Sequence, residues 1–227
     1  MPHFSPIKLS ILLLVSAWLG IANTVYAKAD PAQSTSWTVA AESDQKLNQF
    51  VQSVINGQPD VLVGVYISEV MAYPVVQQPS DNPGFVSSRA EVLTQFSMAA
   101  RYGTTGILAH NTLAGADFSK IQDSDRVVLV YGDGSLKNYQ IEVIRRYQAL
   151  SPSSPYSSFI DLEDPNEVQI SAGDLFNSIY TRGDQVVFQT CIANEGNPSW
   201  GRLFISATPY DPVSEFFHAK LRVSSVY

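Results

Sequence analysis

One cysteine, Cys191, occurs in the whole chain, in the stretch "QTCIANEGNPSWGRLFIS", and Arg202 follows it eleven residues later. His110 closes the apolar run "GILAH", 81 residues before the cysteine. A thiol attacks a carbonyl only as thiolate, and an adjacent imidazole can take its proton and later return one to a leaving amine. A guanidinium directed at the attacked carbonyl stabilises the oxyanion of the tetrahedral intermediate, commonly the largest single contribution to catalysis. The three residue types are therefore complete for acyl transfer. The competing reading is a packed structural cysteine, a common fate of free thiols, with an unrelated histidine and arginine. On that reading the protein is an exported β-rich module that binds a surface partner without turnover.

The other titratable groups narrow the chemistry. His3 lies in the leader and His218 in the aromatic tail "EFFHAKL", where a packed or rim histidine is expected. No HExxH, CxxC or Cys/His cluster is present, so neither zinc ligation nor a disulfide cycle is implied, and the sequence asks for no cofactor. The glycines of "GDG" (132–134) precede a strand, not a helix, and are no nucleotide loop. Asp161, Glu163, Asp164 and Glu167 form an acidic run that reads as a solvated loop, weighed against a Ca²⁺ site. A net charge of −7 argues against nucleic acid as a partner.

These side chains need a scaffold, and 227 residues at 45% hydrophobic content suffice for one sizeable core. Residues 1–27 carry Lys8, an apolar run from Leu9 to Ala22, and Val25 and Ala27 at the cleavage positions, which reads as a signal peptide, the alternative being an N-terminal membrane anchor. Export follows, to the cell surface or beyond. A free thiol there is an oxidation liability that a purely structural position could avoid. Residues 28–42 are small and polar, read as a flexible linker, and residues 43–227 as a single domain.

Leu47, Phe50, Val51, Val54 and Ile55 recur at helical spacing until Asn56-Gly57. Residues 61–70 read as a strand stopped by Pro74, followed by the loop "QQPSDNPG". Ser88 and Glu91 have capping-box spacing, predicting a short helix that buries Val92, Leu93, Phe96 and Ala100. Strands are expected at 104–110, 126–132, 138–150, 185–191 and 202–208, with the second and third paired antiparallel across Gly132-Asp133-Gly134. Residues 151–184 form a long excursion with a short helix capped at Ser171 and Asp174. Many short strands without βαβ alternation indicate a mostly antiparallel barrel or sandwich. His110, Cys191 and Arg202 then all fall at strand ends, from which side chains can converge at one mouth of a closed sheet.

Residues 106–144, "GILAHNTLAGADFSKIQDSDRVVLVYGDGSLKNYQIEVI", resemble the sortases, in which a strand ends in a catalytic His and a Phe-containing short helix and a strand pair follow. "VVFQTCIANEGNPSWGRLFISA" is similar to the sortase ending, an apolar strand finishing in Thr-Cys with an Arg opening the final strand. The resemblance covers about 100 residues in the order His, Cys, Arg; Ala109-His110-Asn111 departs from the usual context, and "VGVYISEVMAYPVVQQP" shows no clear form of the family's opening segment. It implies a mainly β, closed antiparallel or mixed eight-stranded barrel with a few short helices. It further implies an exported monomeric cysteine transpeptidase that cuts a peptide sorting signal in a surface protein and passes the acyl group to an amine, or to water as a peptidase. By carry-over Cys191 is the nucleophile, His110 the general acid/base and Arg202 the oxyanion or substrate-orienting cation. Thr190 then shapes the substrate site beside Asn111, and Trp200 and Tyr156 read as groove or rim aromatics.

Overall fold

The computed structural model describes residues 31–211. The leader, His3 and His218 lie outside the described residues. Of the described residues, 31–38 fall in one unit and 39–211 in another. Helix α1 (Pro31–Val54) begins inside the stretch expected as a linker, with Pro31 at the first helical position, where its missing N–H is no loss. Among the described residues no helix is long and apolar enough to cross a membrane.

Within the second unit the strands are β1 (Leu62–Ile67), β2 (Met71–Gln77), β3 (Leu93–Phe96), β4 (Thr104–Leu108), β5 (Arg126–Tyr131), β6 (Leu136–Ala149), β7 (Phe159–Asp161), β8 (Gln169–Ile170), β9 (Gln185–Asn194) and β10 (Asn197–Pro209). They follow one another in the sheet as β10-β9-β4-β3-β2-β1-β5-β6, and a β10–β6 pairing closes these eight into the expected barrel, leaving β7 and β8 as an extension of β6. The β2–β3 and β4–β9 pairs are parallel and the rest antiparallel, so the barrel is mixed. Closure removes every edge in the ring, which lets buried polar backbone pair completely.

The barrel is filled by Val65, Ile67, Leu93, Ile107, Leu129, Ile141, Phe188 and Ile205. Phe118 reaches in from the 3₁₀ helix Ala114–Lys120 and meets Phe188 edge to face, centroids 5.3 Å apart. Outside β9–β10 a second cluster gathers Tyr147, Leu175, Ile179, Tyr180 and Phe204 beneath α3 (Ala172–Tyr180). α3 is capped as its sequence predicts, Asp174 N–H donating to Ser171 Oγ. A third cluster packs Phe50 and Val51 of α1 against Val63, Tyr66 and Val128.

Two sequence expectations fail here. Pro74 does not stop the strand at 61–70; the chain turns after Ile67 and Pro74 sits inside β2 opposite Gly64. Nor does a helix follow Ser88. Glu91 adopts a φ of 55°, and Leu93–Phe96 become β3, wedged between β2 and β4, with only Ser97–Ala100 turning as a helix (α2). Pairing of Thr94 and Gln95 on both sides, with Leu93 fully buried, outweighs a local cap worth about 1 kcal/mol.

Candidate active site

β9 and β10 form a hairpin that continues past the expected strand ends, so Cys191 and Arg202 lie within strands and face each other directly in the ladder. Directly opposed residues put their side chains on the same face about 5 Å apart at Cβ. Their apposition depends on an irregularity. At the hairpin tip Asn197 pairs with Asn194, a register that would set Trp200 opposite Cys191; a shift between Asn197 and Gly201 brings Arg202 there instead.

His110 arrives on the other flank. β4 runs parallel to β9 with Leu108 opposite Gln189, and the pairing persists beyond the ladder: Ala109 N–H donates to Gln189 O at 3.3 Å and Thr190 Oγ1 to Ala109 O at 2.9 Å. Two residues past Leu108, the same register sets His110 beside Cys191 on a neighbouring strand path about 4.8 Å away. His110 is exposed and Cys191 half-buried. The chain leaves His110 in a tight turn, its carbonyl accepting from Leu113 N–H at 2.9 Å and Gly115 N–H at 3.0 Å. A Cβ on Gly115 would stand 2.4 Å from Thr190 Oγ1 and 2.8 Å from the His110 carbonyl oxygen, so only glycine fits this crossing. Downstream, Asp117 accepts from Tyr73 OH of β2 and pairs with Lys120 at 2.6 Å, which ties this segment to the barrel wall. Lys120 foremost, and then Tyr73, hold the Asp117 carboxyl below the ordinary carboxylate range.

Arg202 is held by carbonyls. Nη1 donates to Ser199 O at 2.9 Å and Gly201 O at 2.8 Å, and Nη2 to Pro152 O at 3.3 Å, from the excursion between β6 and β7. Of the five N–H groups of a guanidinium, three are thus used among the described residues, and Nε–H is among those left for an incoming oxygen. No carboxylate pairs with Arg202 among the described residues, so its charge is not neutralised by a neighbour.

Two cavities flank this row. One, about 290 Å³, lies under α3 with Arg202, Gln189, Phe96, Phe176 and Phe204 in its wall. The other, about 410 Å³, is lined by Cys191, Thr190, Asn111, Gly115 and Arg146. A larger space of about 500 Å³ between α1 and the β1–β2 turn has neither cysteine nor histidine in its wall.

Of the remaining sequence candidates, Thr190 is buried and its hydroxyl is committed to Ala109 O. Asn111 Nδ2 donates to Pro198 O at 3.0 Å, joining the His110 turn to the hairpin tip. Trp200 is half-buried and lines neither flanking cavity, and Tyr156 is exposed. In the acidic run, Asp161 lies 3.6 Å from Arg145 and Glu163 3.2 Å from Arg146, and no group of three potential metal ligands occurs among the described residues. Sequence reasoning missed Gly115, Pro152 and Gln189. Only Gly115 left a signal, as the small residue in "LAGAD" just after the histidine.

No protein-family model matches the chain, and no curated protein matches it. Among solved structures it is similar to sortase C1 of Streptococcus agalactiae in complex with MTSET, at 14% identity over 70% of each chain and a TM-score of 0.41. It is similar to sortase A of Listeria monocytogenes at 12% identity, covering 67% of this chain and 89% of that one, TM-score 0.39. Sortase E1 of Streptomyces coelicolor, solved with a tripeptide in its active site, is 15% identical over 70% of this chain and 91% of its own, TM-score 0.42.

Proposed function

We propose that this chain is an exported, sortase-like cysteine transpeptidase: Cys191 attacks a peptide carbonyl, forms a thioacyl enzyme, and yields the acyl group to an amine. The observation that carries the reading is the row of His110, just beyond β4, Cys191 on β9 and Arg202 on β10, with the last two in direct register. Cys191 Sγ, as thiolate, bonds to the carbonyl carbon while the C=O π pair moves to oxygen, where Arg202 N–H groups meet the negative charge. Collapse of the adduct breaks the C–N bond, and His110 protonates the departing amine. An acceptor amine then attacks the thioester; neutral His110 removes its proton, and the C–S bond breaks to return Cys191. The exposure of His110 leaves the thioester open to water, so slow hydrolysis replaces transfer when no amine is supplied.

The test is intact-mass spectrometry of the full chain incubated with a peptide library, with and without hydroxylamine as the acceptor. Expected are an acyl adduct on Cys191, a hydroxamate product only when hydroxylamine is present, and neither with Cys191→Ala. Free acid as the sole product under both conditions assigns a peptidase instead. Absence of any adduct, together with a Cys191 that resists iodoacetamide in the folded protein, assigns a binding module.

A further inference from the structure

The outward row of β9 holds a polar side chain that the proposed acyl transfer does not use. Gln189 stands two residues before Cys191, on the same face by strand alternation, and opposite Phe204 of β10. The hydroxyl of Tyr180, the last residue of α3, donates to its Oε1 at 2.6 Å. Tyr180 is buried to within 2% of its surface, and that burial pushes its phenol far above the ordinary range, so the proton stays on. Gln189 is the only acceptor this hydroxyl has among the described residues, so the O–H must donate or go unpaired in hydrocarbon. That fixes which way the carboxamide faces: oxygen toward Tyr180, nitrogen away from it.

Nε2 has no partner among the described residues, and no buried side-chain nitrogen or oxygen there lacks one, so this nitrogen reaches open space. Gln189 lines the cavity of about 290 Å³, whose wall is largely apolar, with Phe96, Leu175, Phe176 and Phe204, and also holds Ser154 and Arg202. A fixed amide donor in a largely aromatic cleft discriminates sharply, because a ligand without a matching acceptor strips it of water and returns nothing.

We propose that Gln189 is a specificity-determining residue for the acyl-donor peptide, its Nε2 donating to a backbone carbonyl of an extended segment whose apolar side chain fills the aromatic cavity. The inference rests on the acyl-transfer reading above. Two strand residues span about 6.6 Å, the rise of two residues in an extended peptide, so for a donor laid parallel to β9, the orientation we propose, the acceptor is the second carbonyl upstream of the attacked one. Tyr180 acts through Gln189 as a positioning residue.

The experiment takes the peptide that the full-length wild type turns over best from the library with hydroxylamine, and the same peptide with a thioamide at the second upstream carbonyl, a weaker acceptor. Steady-state constants are measured for wild type, Gln189→Leu, Gln189→Glu and Tyr180→Phe, with thermal unfolding of each variant. Expected for Gln189→Leu is a KM raised about tenfold with kcat nearly unchanged, as for loss of one neutral hydrogen bond in ground and transition state alike. Gln189→Glu, which keeps the bond from Tyr180 but has no donor, follows Gln189→Leu, and Tyr180→Phe shows a smaller rise. The thioamide penalises wild type by a similar factor and leaves Gln189→Leu unaffected. Wild-type turnover with the same KM and the same thioamide penalty in both glutamine variants overturns this inference alone. No turnover of any library peptide by wild type overturns the acyl-transfer reading and this inference with it.

Discussion

The two faces of the β9–β10 hairpin behave as different materials. Inward, Phe188, Leu203 and Ile205 are sealed in hydrocarbon, and the one polar group, the Thr190 hydroxyl, is satisfied by Ala109 O. Outward, Gln189, Cys191 and Arg202 are half-buried, with polar atoms left over after the protein's own bonds are counted. A period of two residues thus builds a buried core face and a half-buried polar face from the same ten-residue strand. The inner face holds register, and register is what aligns the outer row.

If that division is right, substitutions on the two faces fail in different currencies. Phe188→Ala, inward, costs about 3–5 kcal/mol of unfolding free energy by denaturant titration, from lost burial and the cavity left beside Phe118. Arg202→Met, outward, lowers kcat for acyl transfer about 10²–10³-fold, with a much smaller change in unfolding free energy. An Arg202→Met variant that loses stability as Phe188→Ala does, with its activity intact, breaks the comparison. Thr190→Val lies on the boundary. It leaves Ala109 O without its donor and costs about 1–3 kcal/mol, and it loosens the β4–β9 alignment that carries His110, so kcat falls as well.

The smallest effect comes from the segment that leaves His110. Asp117 is held below its unfolded value of about 3.8 by Lys120 and Tyr73, so it stabilises the fold at pH values above that, and the contribution disappears as pH falls through the depressed folded value. Asp117→Asn is therefore less stable than wild type at neutral pH, and the gap closes below about pH 4. Urea titrations of both proteins across that range check it.

Legibility in the sequence divided along similar lines. The helix through Leu47–Val54, the hairpin joining β5 to β6 and the cap of α3 are fixed by neighbours in the chain, and all three were readable. β2 and β3 were not, because Pro74 and the Ser88–Glu91 spacing argue locally against strands that pairing to distant segments imposes. For the site, residue types pointed to Cys191, His110 and Arg202, and the closed barrel was anticipated. The expectation of three strand ends holds only for His110, which lies just beyond β4. A regular hairpin would have offered Trp200 to the thiol, and no local pattern announces the register shift that substitutes Arg202. Gln189 was invisible because its orientation is set by Tyr180, whose phenol is seen to need an acceptor only once its burial is known.

The central claim is that imidazole and guanidinium act on this particular thiol. The rate of iodoacetamide alkylation at Cys191, followed by intact mass at one fixed near-neutral pH in wild type, His110→Ala and Arg202→Met, tests it most directly. Removal of His110 is expected to slow alkylation about tenfold or more, because the thiol loses its proton acceptor and less thiolate forms. Equal rates in wild type and His110→Ala, with both proteins folded, would contradict the account.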